Sequence, residues 1–82
     1  MSEVLTYFSS GIVQSRFIYV NGKLSGRQEI YFPSGLLRRQ IEYVDGLRHG
    51  IDVAWDFYGR LLFCEKWNTG KKEKVLAEDL TC

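Results

Sequence analysis

The chain contains few of the residues that catalytic and metal-binding sites usually need. Its 82 residues include one histidine, one proline, one methionine and two cysteines. One histidine and two cysteines leave little for a metal site, and we expect no cofactor. The 11 basic and 10 acidic residues give a net charge of +1. This near-neutral balance removes the long-range field that favours binding to a phosphate backbone, so we expect no nucleic-acid partner.

Long apolar runs are also absent. The longest uncharged stretch, residues 4–15, is interrupted by polar residues and glycine, and it is far shorter than the ~20 apolar residues of a membrane-spanning helix. The N-terminus shows no secretory signal. Cys64 and Cys82 are too few for a disulfide framework. The sequence therefore predicts a cytoplasmic protein with no membrane span and two reduced thiols, although a bridge between the thiols remains an alternative.

What the chain does contain is enough apolar surface for one folded domain. Hydrophobic residues make up 45% of the sequence and aromatic residues 15%, which is typical of globular rather than disordered chains. Chains of this length bury a small core. Their stability is consequently marginal, so either the aromatic residues pack well or a second subunit contributes.

The glycines and aromatic residues recur with a period of 24 residues. Chance alignment of so many uncommon residues is improbable, and a fixed period of this length indicates repeated supersecondary units. The glycine series are Gly22, Gly46 and Gly70; Gly26 and Gly50; and Gly11, Gly35 and Gly59, and the aromatic series are Tyr7, Tyr31 and Trp55, and Tyr19, Tyr43 and Trp67.

The repeat combines two turns with two alternating runs. Asn21-Gly22 and Asp45-Gly46 predict type I′ hairpin turns, which need positive φ at both central residues. Between turns, apolar residues occupy mainly odd positions, as in a strand with one buried face. We therefore predict an all-β fold: a single antiparallel meander built from 24-residue β-hairpin repeats over residues 1–72, followed by a tail at 73–82 that is a short helix or disordered. The predicted strands are about six: 3–8, 12–20, 27–33, 36–44, 51–57 and 60–68.

Two segments in register, Tyr31–Gly50 and Trp55–Lys72, resemble the MORN-repeat variant of bacterial proteins that occurs in the YwqK-type antitoxin family. The resemblance implies a sheet of β-hairpin repeats that binds another protein, such as a toxin or effector, in the manner of an antitoxin, immunity protein or inhibitor. Eukaryotic MORN proteins are scaffolds, some of which are proposed to bind lipid. The resemblance supplies no catalytic residues.

Residues that could suggest an enzyme have simpler interpretations. His49 is expected to be a solvated turn residue, since no nucleophile motif accompanies it. Asp52 and Asp56 fall on the polar side of one strand, where solvated surface charge is the simplest interpretation, and Glu65 is expected to project from the opposite side of its own strand. We predict a protein that is not an enzyme.

The aromatic rows are the strongest candidates for both packing and binding. A one-layer sheet cannot bury both of its faces, so the rings either satisfy each other or contact a partner. Arginine among aromatic residues is common at interfaces, although Arg39 could instead stack on a tyrosine of its own chain. Alternatives are a self-associating scaffold, with a homodimer as one form, and binding to anionic lipid. The predicted partner-binding residues are Tyr31, Arg39, Tyr43, Trp55 and Trp67.

Overall fold

The computed structural model describes residues 1–76, and these residues are all-β, with no helix among them. They form one open antiparallel sheet in which each long strand pairs with the next long strand of the sequence, and a single two-residue strand pairs only with the strand before it. The predicted single meander is therefore confirmed. The strands are β1 (Ser2–Tyr7), β2 (Val13–Val20), β3 (Lys23–Leu24), β4 (Gly26–Tyr31), β5 (Leu37–Val44), β6 (Leu47–Trp55), β7 (Leu61–Asn68) and β8 (Lys71–Leu76).

The 24-residue period of the sequence is also the period of the backbone. β2, β5 and β7 begin and end at positions 24 residues apart, as do β1 and β4. At one end of the sheet, the residue pairs Asn21-Gly22, Asp45-Gly46 and Thr69-Gly70 all have positive φ, as type I′ turns require. Successive turns at this end are joined by hydrogen bonds from Gly46 N–H to Leu24 C=O and from Gly70 N–H to Arg48 C=O, both 2.8 Å.

The strands differ from the prediction in three places, the first of which is the short β3 (Lys23–Leu24), which was not predicted. β6 begins at Leu47 rather than Ile51, and residues 71–76 form β8 where a helical or disordered tail was expected from residue 73. The physical reason is the turn at Thr69-Gly70, which directs the chain back along β7, with Asn68 opposite Lys71. The rest of the predicted tail, residues 77–82, lies outside the described residues.

Cross-strand register shows which side chains share a face of the sheet. Residues directly opposite each other project to the same side, and Ile30, Arg39, Ala54 and Phe63 are opposite one another across β4 to β7. From this register and strand alternation, one side carries the aromatic residues of β2, β5 and β7, and we name it the aromatic face. Its aromatic members are Phe17, Tyr19, Tyr43, Phe63 and Trp67.

The expectation that odd positions face the same side in every strand is correct for β2, β5 and β7 and wrong for β1, β4 and β6. A two-residue turn pairs an odd position with an even one, as Val44 with Leu47. The even residues Asp52 and Ala54 therefore lie on the aromatic face, and Val53 lies on the opposite face.

The sheet is a single curved layer whose smallest extent is 13 Å. Its buried apolar residues, Ile41, Val53, Ala54 and Cys64, lie in the central strands β5 to β7 and come from both faces. Cys64 is disulfide-bonded, so the prediction of a reduced thiol is wrong at this position. Cys82 lies outside the described residues.

Candidate functional site

The five predicted partner-binding residues are spread along the strands, with Tyr31 and Trp55 at one end, Tyr43 and Trp67 towards the other, and Arg39 between them. Arg39, Tyr43 and Trp67 lie on the aromatic face. Tyr31 and Trp55 lie at equivalent register shifts, opposite Leu37 and Leu61 respectively. Six residues of β5 separate the level of Tyr31 from that of Tyr43, which is roughly 20 Å along a strand. All five are half-buried, and only Arg39, Tyr43 and Trp67 belong to one surface.

Arg39 is held by Asp52. Its Nε donates to Oδ1 of Asp52 at 3.0 Å and its Nη2 donates to Oδ2 at 2.8 Å, which is the bidentate geometry that makes arginine–carboxylate pairs specific. Asp52 is only 1% exposed, whereas a third of the Arg39 side chain is exposed. The hydrogen bonds to Asp52 raise the pKa of Arg39. The guanidinium also lies 5.6 Å from the centre of the Phe63 ring.

Arg48 approaches the same carboxylate from the other side. Its Nη1 is 3.7 Å from Oδ2 of Asp52, too far for a hydrogen bond. The guanidinium instead lies over the Trp67 ring, 4.5 Å from its centre. We name Arg39, Arg48 and Asp52 the arginine–aspartate cluster.

Two small residues make this arrangement possible. Ala54 lies between Arg39 and Phe63 in the register, so the arginine reaches across β6 to the ring. Gly50 lies opposite Trp67, and a Cβ at this position would crowd the Glu42 side chain. Gly50 has a φ of 109°, and the register between β5 and β6 shifts beside it. This irregularity brings Arg48 and Asp52 together, although four positions of regular strand span about 13 Å.

A second carboxylate completes the charged surface. Glu65 lies opposite Asp52 on β7; its Oε1 accepts from the Trp67 indole N–H at 3.3 Å and its Oε2 is 3.7 Å from Nζ of Lys72. Three cations and two carboxylates thus meet on one face, which leaves an excess of one positive charge.

Two expectations for these acids are wrong. Asp52 is buried rather than solvated, and Glu65 shares its face rather than projecting away from it. The error came from the assumption that odd and even positions keep the same sides in every strand. The type I′ turn at Asp45-Gly46 carried the correct signal, because its pairing of Val44 with Leu47 places the odd residues of β5 and the even residues of β6 on the same face.

Other candidate residues have structural roles. His49 is exposed, and its Nδ1 accepts from the Thr69 backbone N–H at 3.1 Å, which fixes a turn. Asp56 accepts from the backbone N–H groups of Tyr58 and Arg60, both at 2.9 Å. A shallow pocket of about 210 Å³ includes His49 and Glu73 in its lining; it is smaller than the roughly 300 Å³ at which small-molecule sites begin.

A second aromatic group lies at the turns on the other end of the sheet. Phe32 contacts Phe57 edge to face, with ring centres 5.7 Å apart, and Phe57 contacts Tyr58 in the same way. Phe57 and Tyr58 are 55% and 77% exposed. Arg38 lies over Phe32 and Arg60 lies over Tyr58. This group belongs to exposed turns, whereas the arginine–aspartate cluster is anchored by a buried carboxylate.

Comparison of the chain with protein-family models, curated proteins and solved structures finds no match in any of the three. The MORN-like character of the repeat consequently stays a prediction. Within residues 1–76, no helix is long and apolar enough to cross a bilayer. The same residues contain no group of three or more histidine, cysteine, aspartate or glutamate side chains placed to hold a metal ion.

Proposed function

We propose that the chain is a non-enzymatic protein-binding module of the antitoxin, immunity or inhibitor type, and that its aromatic face covers a partner protein. Tryptophan, tyrosine and arginine are the residues most enriched at the energetic centres of protein interfaces. The aromatic face presents all three around a buried carboxylate. The MORN-like spacing of the sequence favours the same function.

The observation that carries the proposal is the ordering of half-exposed side chains before any partner is bound. Arg39 is fixed by two hydrogen bonds to Asp52, and Arg48 is stacked on Trp67. Immobilising a long side chain on binding costs about 0.5–1.5 kcal/mol, so arginines that are already positioned reduce this penalty. No second layer covers this face within residues 1–76.

Site-specific photocrosslinking tests the proposal. A photoreactive phenylalanine analogue replaces Tyr43 on the aromatic face, and in a matched control it replaces Leu62, which is 63% exposed and alternates to the opposite face of β7. In an extract of the source cells, we expect one defined protein adduct from position 43 and none from position 62. Loss of that adduct in Trp67→Ser would support the assignment. Identical adducts from both positions, or none from position 43, would refute it.

A second candidate function, self-association, is favoured by the contrast between the two sheet edges. Every residue of β1 is exposed, and within residues 1–76 no strand pairs with its outer edge. Val4, Leu5 and Tyr7 are 46%, 39% and 55% exposed. β8 begins instead with Lys71-Lys72, and lysines on an edge discourage pairing with another chain.

This alternative predicts a dimer through antiparallel pairing of β1 with β1 of a second copy. Sedimentation velocity at high micromolar concentration would then show a dimer in the parent protein and a monomer in Leu5→Lys. A charge at Leu62, an exposed leucine of β7 (63%) away from this edge, serves as the control and should leave the dimer intact. A parent protein that sediments as a monomer would exclude self-association and leave the aromatic-face proposal untouched.

A further inference from the structure

The two arginines of the arginine–aspartate cluster are unequally satisfied. Arg39 uses Nε and Nη2 to hold both oxygens of Asp52. The side chain of Arg48 makes only the 3.7 Å ion pair to Asp52 and the contact with Trp67, and its guanidinium forms no hydrogen bond to any described residue. A guanidinium has five N–H donors, so Arg48 offers an unused set of donors on a face that is open to solvent.

The position of Arg48 is nevertheless well defined. Its 4.5 Å distance to the Trp67 ring is the shortest cation–ring distance among the described residues. Trp67 is itself held by the bond from its indole N–H to Glu65. Stacking covers the flat face of the guanidinium and leaves its N–H edge free, which is the edge that matches a carboxylate or a phosphate.

The local charge selects between these two anions. The cluster with its neighbours Glu65 and Lys72 carries three positive and two negative groups, and the excess is one positive charge. A carboxylate carries one negative charge, whereas a phosphate monoester carries about −1.5 to −2 at pH 7. Two resident carboxylates would repel the additional charge of the phosphate.

We infer that Arg48, seated on the Trp67 ring, binds a carboxylate from an acidic segment of a partner protein. The inference rests on the proposed protein-binding function and specifies the chemistry of the partner. The carboxylate receives the N–H edge of Arg48 in the way that Asp52 already receives that of Arg39, so the resident pair is the internal precedent for the geometry.

Titration of the protein with a hexaglutamate peptide, followed by NMR, tests this inference. The indole N–H signals of Trp67 and Trp55 serve as two reporters, since Trp55 lies at the other end of the strands. We expect hexaglutamate to shift the Trp67 signal and not the Trp55 signal, and hexaglutamine to shift neither. The affinity should fall as salt is added, because the contact is between charges.

Three variants sharpen the test. Arg48→Gln should weaken binding about tenfold, the effect of losing a charge-assisted hydrogen bond. Arg48→Lys keeps the charge without the planar fork and should give an intermediate loss. Arg16→Gln is the matched control, since Arg16 pairs with Glu3 and Glu29 on the opposite face, and it should bind like the parent. Amide spectra check that each variant is folded.

Several results would overturn the inference. These are unchanged binding in Arg48→Gln, equal losses in Arg48→Gln and Arg16→Gln, or tighter binding of a phosphoserine peptide than of hexaglutamate.

The photocrosslink at position 43 distinguishes failure of this inference from failure of the proposed protein-binding function. If the crosslink persists while hexaglutamate does not bind, the protein-binding function stands without carboxylate recognition. If hexaglutamate binds but position 43 gives no crosslink, the anion site stands and the proposed protein-binding function is refuted.

Discussion

The first and second hairpin units, residues 13–31 and 37–55, share a backbone design and differ in charge. Ser15 and Arg39 are equivalent in the repeat, as are Gln28 and Asp52. In the first unit, Gln28 is 2% exposed and is satisfied by the backbone: its Oε1 accepts from the N–H of Ile18 at 2.6 Å. In the second unit, Asp52 is satisfied by arginine side chains.

This difference shows which positions of the repeat can carry the side chains of a binding surface. Position 28 and its equivalent, position 52, are buried polar positions in both units, and a buried polar group must find a partner. An amide finds it in the local backbone, whereas a carboxylate needs cations. Leu24 of the first unit is accordingly replaced by Arg48 in the second. The charge at position 52 therefore organises the arginines of the surface that we propose binds a partner.

Replacing Asp52 by asparagine should produce the largest loss of stability. The variant leaves two arginines without their shared counterion, and removal of one partner from a buried ion pair costs about 3–5 kcal/mol. Because both arginines are about one-third exposed, solvent screening reduces the expected loss to about 2 kcal/mol. Urea unfolding measures it, with Asp45→Asn in an exposed turn as the control for the change in charge. Equal stability of the two variants would show that the second unit does not depend on its carboxylate.

Two glycines at equivalent positions of the repeat provide the next comparison. Gly26 and Gly50 both have positive φ, so alanine is strained at either position, by roughly 1–2 kcal/mol. A Cβ on Gly26 would meet nothing within 4 Å, whereas one on Gly50 would lie 2.7 Å from Oε1 of Glu42. That oxygen accepts from the Ile51 backbone N–H at 2.8 Å, and moving it would break this bond.

We therefore expect Gly50→Ala to destabilise the chain by about 1 kcal/mol more than Gly26→Ala, the usual contribution of one hydrogen bond. Thermal unfolding of the two single variants measures the difference. In a Glu42→Ala background the displaced oxygen is already absent and only the 3.2 Å contact with the Cβ of residue 42 remains, so the difference should shrink. If it persists undiminished there, the strain at Gly50 has another cause.

Truncation of Gln28 tests how much the buried polar side chain of the first unit contributes to stability. Truncation by Gln28→Ala leaves the buried N–H of Ile18 without its acceptor, which should cost about 1–1.5 kcal/mol in the free energy of unfolding. Gln40, half-buried on β5 and without a side-chain hydrogen bond among the described residues, is the matched control, and Gln40→Ala should change stability by less than about 0.5 kcal/mol. Hydrogen exchange at the Ile18 amide offers an independent check, since only Gln28→Ala should accelerate it.

The fold was largely predictable because turn chemistry and period are local properties. Asn-Gly and Asp-Gly specify type I′ turns through two residues, and a period of 24 residues places each turn beside the equivalent turn of the preceding repeat. β8 was missed because its first residues are mostly charged, and edge strands carry charge for reasons unrelated to burial. A turn at Thr69-Gly70 should have outweighed that composition.

The candidate site was only partly predictable. Arg39, Tyr43 and Trp67 could be recognised as aromatic-face residues from alternation alone. The contact between Arg48 and Asp52 could not be predicted, because it depends on the bulge beside Gly50, which brings these two positions of β6 closer together than a regular strand would. Bulges re-aim side chains and are frequent at functional positions, so irregular positions within a repeat are where the prediction was weakest.

The smallest effect expected is a dependence of stability on pH at the turn of the second unit. Asp56 replaces the Phe32 of the first unit and accepts from the backbone N–H groups of Arg60 and Tyr58, which lowers its pKa below the usual value of about 3.9. A carboxyl group with a lowered pKa in the folded state stabilises the fold above its unfolded-state pKa, and this contribution disappears as the pH falls through the folded-state pKa.

Carboxyl ¹³C NMR should therefore give a titration midpoint for Asp56 in the folded protein that lies below its midpoint in the urea-unfolded chain. The stability advantage over Asp56→Asn should shrink as the pH falls from about 6 to about 2. A midpoint at or above the unfolded value would mean that the carboxylate contributes nothing to this turn, and the two units would then differ functionally only at the arginine–aspartate cluster.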